Sequence, residues 1–526
     1  MASIDGLLRP SSGPEREAWR DADVLATTAL LNCVIREVAR PAGPGAFLLP
    51  ATGRLLRAGG ARFPAAPALL TPDGWCPLPL AELVALTAAE LRAGTGVANE
   101  ALPAEILHSR DVTAVLLAAR RASGPPADPY LRSEQALVAG HRYHPAPKAR
   151  GGSGREAWLR YSPEAHASFP LPLFGVPAED LVEEGDVGAL GRLGEAAGDG
   201  LVTLPVHPWQ RELLGGLRDG RLRDLGVTTA TAVPTSSIRT VYLPEPDLFC
   251  KFSLDVRITN DVRRLWLADL RRLPAVGDVL DRVFDDLPGH YARPAMLRDR
   301  GYRSAELGRD GGEALAVIVR DGLGEHLRPG LTPLLTAGVS EGFPGNPLDG
   351  LDDDVALAWW ERYLGHVVPP VLHAYLCHGV VLECHLQNVL IAVDGRGLPA
   401  QALFRDHEGV KLVAERHPRL REAEAPLVSG PYGWERLVYC LLTNNLCEIA
   451  GAVAARHPRL RGELWGRARA LFAAVDEDHG GPAELRDLLT GASIPAKANL
   501  LLRWLDASGG AMRCVPIPNP LRLLTP

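Results

Sequence analysis

The chain predicts an α+β fold, with helices at both ends and sheet in the central and C-terminal parts. Three observations carry this expectation. Apolar residues recur at three- and four-residue steps near both ends, and short apolar runs bounded by Pro, Gly and Asp fill the middle. The length, 526 residues, gives room for about three or four units of ordinary domain size. Hydrophobic residues make up 46% and charged residues 23%, a globular balance that excludes a mainly disordered chain. Lys and Arg number 56 against 63 Asp and Glu, a formal charge of −7. Without a global positive field, wrapping a nucleic-acid backbone is not expected, while a local cationic pocket for a small anion is compatible.

The elements follow in order. Trp19, Val24, Leu25, Ala29, Leu31, Val34, Ile35 and Val38 form one apolar stripe of a helix. A Gly/Pro-rich stretch from Pro41 to Pro67 interrupts it. Helices return at Leu80–Leu91 and Val112–Arg121, before the breaker Ser123-Gly124-Pro125-Pro126, so residues 1–130 read as a mostly helical unit. The middle unit, 131–330, carries strand-like runs at Leu201–Val206, Ile238–Leu243 and Leu248–Leu254. The Gly-, Pro- and Asp-rich stretch Leu331–Asp354 opens the third unit, 331–526. There the pattern gives helices at Val355–Leu364 and Pro370–Cys377, two strand-like runs, then helices to Trp504. No internal repeat is visible.

The opening residues lack the basic and apolar regions of a signal peptide. No apolar run reaches the length of a membrane span, and the nearest, Val367–Leu382, carries two prolines and two histidines. The eight cysteines contain no C-x-x-C pair, and Cys377/Cys384 and Cys440/Cys447 stand seven apart. That spacing suits neither a zinc knuckle nor a disulfide scaffold, and the expectation is a cytosolic protein without membrane association.

The most informative stretch is HGVVLECHLQNVLIAVDGRGLPAQALFRD, His378 to Asp406. Gly379 caps a helix, and Val380–Leu382 is a short strand. Val389–Val393 and Gln401–Phe404 pair across a turn begun by Asp394-Gly395, with Val393 opposite about residue 400. That register sets Asn388 opposite Arg405–Asp406, and directly opposed strand residues lie about 5 Å apart. One cation would then reach Glu383, Asn388 and Asp406. Two carboxylates and an amide form an all-oxygen set suited to Mg²⁺ shared with phosphate oxygens. His385 sits beside it as a hydrogen-bond donor. Any one of these residues alone reads as a polar loop; the set, placed on one hairpin, carries function.

A second stretch, PTSSIRTVYLPEPDLFCKFSLDVRITNDVRR (Pro234–Arg264), reads as a strand, a turn at Pro244–Asp247 and a returning strand. Arg239 and Lys251 then fall within one register step. Thr259 suits the N-cap of a helix beginning at Asn260, with Arg263 on its first turn. Ser237, Arg239, Thr240, Lys251 and Arg263 would make a pocket of charge-assisted donors for a polyphosphate or polycarboxylate. GHRYHPAPKARGGSG adds His141, His144, Lys148 and Arg150 ahead of a glycine run that matches no phosphate-loop pattern. In VHPWQ, His207 and Trp209 read as packing. IPAKANLLLRW places Lys497 on an otherwise apolar helix.

From His141 to the C-terminus, GHRYHPAPK, HPWQ, SSIRT with KFSLDVRITNDVR, HGVVLECHLQN, FRD, and KANLLLRW with NPL occur in an order that resembles the IucA/IucC family of siderophore synthetases. The resemblance implies a thumb, fingers and kinase-like palm arrangement, a homodimer, and an ATP- and Mg²⁺-dependent ligase. Such a ligase adenylates a carboxylate, citrate or a derivative, and condenses it with an amine or alcohol. Carried over by motif, Ser237, Arg239, Thr240 and Lys251 would hold ATP phosphates, with Thr259 and Arg263 facing the carboxylate. Glu383, Asn388 and Asp406 match the metal and nucleotide positions, and His385 and Gln387 substrate and nucleotide contacts. His141, His144 and Lys148 match the substrate-site motif, with Lys497 as a pocket cation. Arg239, Lys251, Arg263 and His385 are the catalytic candidates. A phosphotransferase is the first alternative, since H-x-Q-N before a later Asp resembles kinase spacing. A non-catalytic metal- or siderophore-binding protein is the second.

Overall fold

The computed structural model describes residues 13–150, 158–194, 198, 200–215, 220–259, 261–306, 311–506 and 513–522. The glycine run at 151–154 and Asn260 lie outside the described residues.

The first helix spans Gly13–Glu37. Its buried face is Ala18, Ala22, Ala26, Leu30, Leu31 and Val34, whereas Val24 is exposed. Small alanines on one face let it lie close against the helix Ala101–Ala122, so the stripe is rotated from the one that bulky residues alone predict. The expectation of a mostly helical N-terminal unit needs correction. Residues between Arg40 and Pro77 form a five-stranded antiparallel meander, in which the Gly and Pro positions are turns between strands. The helices Leu80–Thr95 and Ala101–Ala122 follow.

An eight-stranded sheet occupies the middle. Its order is Leu181–Gly185, Asp299–Ala305, Val317–Asp321, Leu248–Phe252, Thr240–Leu243, Arg223–Pro234, Phe169–Pro177, Leu201–Pro205. A four-stranded sheet follows in the C-terminal part, ordered Ala295–Leu297, Pro399–Arg405, Val389–Val393, Thr332–Leu335. One strand of the smaller sheet is almost contiguous in sequence with a strand of the larger: Ala295–Leu297 runs parallel to Pro399–Arg405, with Leu297 opposite Arg405. One residue later Asp299 begins a strand of the large sheet. The chain therefore joins the two sheets beside Asp406, and this junction positions the site.

The largest core packs the helix Asp353–His378 against the smaller sheet and against helices at Gly430–Arg456 and Arg461–Asp478. Sequence reading splits the first of these at its prolines, but Pro369 and Pro370 lie inside one continuous helix. Val367, Val368, Val371 and Leu372 around them are wholly buried. Burying a side chain of this size is worth about 1.5–3 kcal/mol, enough in sum to outweigh a helix-interior proline at ~3 kcal/mol. Gly430–Arg456 is long and apolar enough to cross a membrane, and 78% of its apolar window is buried inside the protein.

Candidate active site

The hairpin Thr240–Leu243/Leu248–Phe252 pairs Thr240 with Lys251, so Arg239 and Lys251 lie one step apart as the sequence predicts. Its turn is pinned by Asp247, whose carboxylate accepts the amides of Leu323 and Gly324, both at 2.8 Å, and the Tyr242 hydroxyl at 2.8 Å. The strand starts later than its apolar run suggests, because Thr235–Ile238 form a tight loop. Ile238 there takes φ +62°, a left-handed backbone that a β-branched residue rarely adopts. The Ser237 and Thr240 hydroxyls are 3.0 Å apart. The Ser236 amide donates to Glu134 Oε2 at 3.0 Å, and Gln387 Nε2 donates to Ser236 Oγ at 3.2 Å. The loop is thus fastened to the acidic hairpin opposite.

The expected helix after Thr259 is absent. Leu254–Ile258 and Asp261–Arg263 form a two-stranded hairpin, with Thr259 at φ +59° in its turn. Arg263 turns back to donate to the Ile258 carbonyl and the Thr259 hydroxyl, each at 2.8 Å, and its own carbonyl accepts Arg239 Nη1 at 3.0 Å. Burial, with Arg239 alongside, lowers the Arg263 guanidinium to about 10, so it stays charged at neutral pH.

The acidic hairpin has the expected register: Val393 faces Pro399, and Val389 faces Phe404. The Arg405 amide donates to the Asn388 carbonyl at 3.1 Å. Asp406 follows at φ +82°, a conformation that costs of order 1–3 kcal/mol in a non-glycine residue and is characteristic of functional sites. The two stretches meet there. Lys251 Nζ lies 2.5 Å from Asp406 Oδ1 and 2.9 Å from Glu408 Oε2. Arg239 lies 3.6 Å from the same Glu408 oxygen, and Arg320 lies 3.3 Å from Asp406 Oδ1. Burial alone would raise the Asp406 carboxyl, but Lys251, Arg320 and Arg239 outweigh it and hold the group well below the usual carboxylate range. Glu408 is lowered for the same reason, with burial opposed by Lys251 and Arg239. Behind them, Asp299 grips Arg320 through two hydrogen bonds, at 2.6 and 3.2 Å, and accepts the His407 amide at 2.9 Å.

His385 sits between Glu383 and Asp406. Burial lowers its imidazolium below the usual value despite both carboxylates, so the ring is neutral. Its Nδ1 accepts the Gln387 amide at 3.3 Å, which leaves the proton on Nε2, 3.5 Å from Asn388 Nδ2 and 3.9 Å from Glu383 Oε2. The ring is therefore a donor. Glu383 is held by Arg436 at 2.5 Å. The polar loop is braced from behind by the π-helical stretch Tyr439–Leu446, whose Asn445 donates to the Cys384 carbonyl at 2.9 Å.

His141 belongs to the same region: burial, then the charges of Arg36, Lys497 and His385, lower it to about 3, so it too is neutral. Lys497 lies on the strand Ser493–Lys497, not on a helix, within reach of the charges of Arg436, Asp261 and Glu383. Burial and Arg436 lower its ammonium, against Asp261 and Glu383. Two further candidates are engaged with the protein itself. Lys148 is buried in an ion cluster with Glu164 and Arg150 and donates to the Leu137 carbonyl at 2.5 Å. His144 is buried and accepts the Ala146 amide at 3.1 Å. His207 caps the helix Pro208–Leu213 and packs on Phe169 and Phe252, as its packing reading predicts. Sequence reasoning missed Glu408, Arg320, Asp299 and Arg436. Glu408 is two residues past Asp406, a spacing that was available; the other three are brought in by topology alone.

Residues 129–341 match the model of the IucA / IucC family, and residues 357–512 match that of the ferric iron reductase FhuF-like transporter. Among curated relatives, the L-2,3-diaminopropanoate–citrate ligase of Staphylococcus aureus is 28% identical, covering 75% of each chain. The rhizobactin siderophore biosynthesis protein RhbC of Rhizobium meliloti is 29% identical, covering 79% of this chain and 78% of its own. Among solved structures, ATP-bound aerobactin synthetase IucA from a hypervirulent pathotype of Klebsiella pneumoniae superposes with a TM-score of 0.81 at 23% identity, over 95% of this chain and all of that one. The petrobactin biosynthesis protein AsbB of Bacillus anthracis gives 0.77 at 18% identity, over 96% of each. The family model over residues 129–341 and the curated relatives show that the chain is similar to the IucA/IucC family, and the solved structures share its fold.

Proposed function

We propose that this chain is an ATP-dependent siderophore synthetase that adenylates a carboxylate, citrate or a citrate derivative, and condenses it with an amine or alcohol, releasing AMP and pyrophosphate. One observation carries the reading: the cationic hairpin and the acidic hairpin close on each other, Lys251 against Asp406 and Glu408. Curated relatives named as citrate ligases, and a structural neighbour described as ATP-bound, support the substrates.

A carboxylate oxygen is no leaving group until it is activated, and transfer to an α-phosphate needs positioning and charge neutralisation more than a protein nucleophile. Arg239, Lys251 and Arg263 supply positive charge where phosphate oxygens would lie, with the Ser237 and Thr240 hydroxyls as further donors. Asp406, Glu408 and Asn388 offer hard oxygen donors that fit Mg²⁺. Asn388 commits its amide NH₂ to the Glu383 carbonyl at 3.1 Å, which leaves Oδ1 as its ligand atom. Glu383, expected in this set, is paired with Arg436, as Asp406 and Glu408 are paired with Lys251, and its carboxylate stays a further oxygen donor for the ion. Bound there, Mg²⁺ would neutralise phosphate charge. His385, holding its proton on Nε2, donates to a carboxylate or phosphate oxygen, and His141 and Lys497 face the acid. Eight free thiols fit a reducing cytosol, and a homodimer with thumb, fingers and palm completes the reading by family resemblance.

The test is a screen of di- and tricarboxylates with ATP, Mg²⁺ and hydroxylamine as trap. AMP, pyrophosphate and a hydroxamate are expected, together with carboxylate-dependent exchange of labelled pyrophosphate into ATP. Arg239→Ala and Asp406→Asn are each expected to lower turnover by about 10²–10³-fold with an unchanged circular dichroism spectrum. ADP as the sole product, or wild-type turnover in both variants, overturns the proposal.

A further inference from the structure

A second cluster of metal-ligating side chains lies at the C-terminal end of the helix Asp353–His378. One ligand atom from each of His373, Cys377 and His479 lies within 4.8 Å of the other two. His373 and Cys377 are four residues apart on one helix face, and His479 caps the helix Arg461–Asp478. Two helix C-termini, each with partial negative charge, therefore converge on the same spot, and this favours a cation.

The hydrogen bonds fix which ring nitrogens carry protons. His479 Nδ1 lies 2.9 Å from the Val475 carbonyl, which can only accept, so Nδ1 holds the hydrogen and Nε2 a lone pair. His373 Nε2 lies 3.0 Å from the Asp286 carboxylate, so Nε2 holds the hydrogen and Nδ1 a lone pair. Those two lone pairs, His373 Nδ1 and His479 Nε2, face each other at 3.3 Å. Between neutral rings no hydrogen bond can form there. The separation equals that of two imidazole nitrogens about 2.0–2.1 Å from one tetrahedral metal ion. A carboxylate and a backbone carbonyl on the far nitrogens are also the usual orienting partners of metal-bound histidines.

From these geometries we infer that His373 Nδ1, His479 Nε2 and Cys377 Sγ bind one divalent transition-metal ion of the Zn²⁺ type, with Asp286 orienting His373. Cys377 is exposed and His479 half-buried, so solvent completes the fourth position. The ion ties the ends of two core helices together, and its role is structural. Asp286 Oδ1 accepts both His373 Nε2 and, at 2.7 Å, His378 Nε2, so the rival Asp286–His373–His378 grouping is satisfied by hydrogen bonds without an ion.

The experiment titrates the chelator-treated full-length protein with Co²⁺ and then Zn²⁺. One equivalent of Co²⁺ is expected to produce a thiolate-to-cobalt charge-transfer band and tetrahedral d–d bands, and Zn²⁺ should displace both. C377S is expected to lose the charge-transfer band, H479A to weaken Zn²⁺ binding at least 100-fold, and D286N to weaken it about 10–100-fold. Zn²⁺ should raise the melting temperature of the wild type but not of a C377S/H479A double variant, whose hydroxamate-forming turnover stays at the wild-type level. Absence of the thiolate band in the wild type, or unaltered Zn²⁺ affinity in the double variant, overturns the inference. The second result, with binding lost in H378A, would transfer the ion to the rival triad.

Discussion

Of the seven described non-glycine residues at positive φ, three, Ile238, Thr259 and Asp406, lie in the candidate site, where phosphate and carboxylate are proposed to bind. Gly409 beside them is governed by space, not by backbone angle. A Cβ placed on it would lie 1.9 Å from Glu383 Oε2. The obstructing atom is the tip of a flexible side chain, so the fold can accept Gly409→Ala by swinging Glu383 away from Arg436. We expect melting temperature within a few degrees of wild type but a fall in carboxylate-dependent AMP release of 10-fold or more; full activity would show that the Glu383–Arg436 pair does not shape the site. At this scale the nearness of Arg239 to Lys251 and of Asn388 to Asp406 was legible from the two hairpins, and the motifs added their expected roles. A basic residue in a polar motif looks the same in sequence whether it faces a pocket or, like Lys148, is buried against Glu164. Arg320 and Asp299 carried no signal, since they pair across neighbouring strands of the large sheet and reach Asp406 and His407 only where the two sheets join.

Among the elements, the short helix Pro129–Glu134 does more for the site than its length suggests. Glu134, with no exposed side-chain surface, accepts Arg405 at 2.5 Å, the Tyr130 hydroxyl at 2.9 Å and the Ser236 amide at 3.0 Å. Burial would raise its carboxyl, but Arg405 and these donors bring it below the usual value. One carboxylate thus fastens the Thr235–Ile238 loop to the last residue of the Pro399–Arg405 strand. Glu134→Ala leaves Arg405 buried without its counter-charge, and breaking such a pair costs about 3–5 kcal/mol. The expected result is a matching loss of unfolding free energy in urea together with a raised KM for ATP; a loss under 1 kcal/mol would show that the pair contributes little. Elements with strong periodicity, such as the helices at Leu80–Thr95 and Ala101–Ala122, were legible. Those punctuated by breakers were not: Gly60, at φ +104°, has no room for a Cβ against the Phe63 carbonyl, so a residue read as interruption is a turn requirement of the meander. The hairpin at Leu254–Arg263 was hidden because Thr259 suits an N-cap in sequence, whereas packing selected a turn.

Across the whole molecule, the first and last helices close on each other, which the ordered motifs near the C-terminus did not reveal. Leu500 and Trp504 sit in the core of the N-terminal part, with Leu30, Leu83 and Leu102. Glu37, at the end of the first helix, accepts the amides of Leu500 and Leu501 at 3.0 and 2.9 Å, capping the helix Asn499–Trp504. Burial is the larger influence and raises its carboxyl to about 7, although the amides oppose it. A carboxyl raised on folding favours the folded state while protonated. Its contribution is complete below its unfolded value near 4.5 and is lost as pH climbs through about 7. Over that window a single group can change stability by at most ~1.4 kcal/mol per pH unit. Glu37→Gln mimics the protonated form without titrating. Urea unfolding from pH 5 to 8 is therefore expected to show wild-type stability falling relative to the variant as pH rises, with the gap opening mainly below pH 7. Because both proteins share every other titrating group, the difference isolates Glu37, and parallel curves would mean that the carboxyl ionises freely and the closure of the two ends does not depend on its proton.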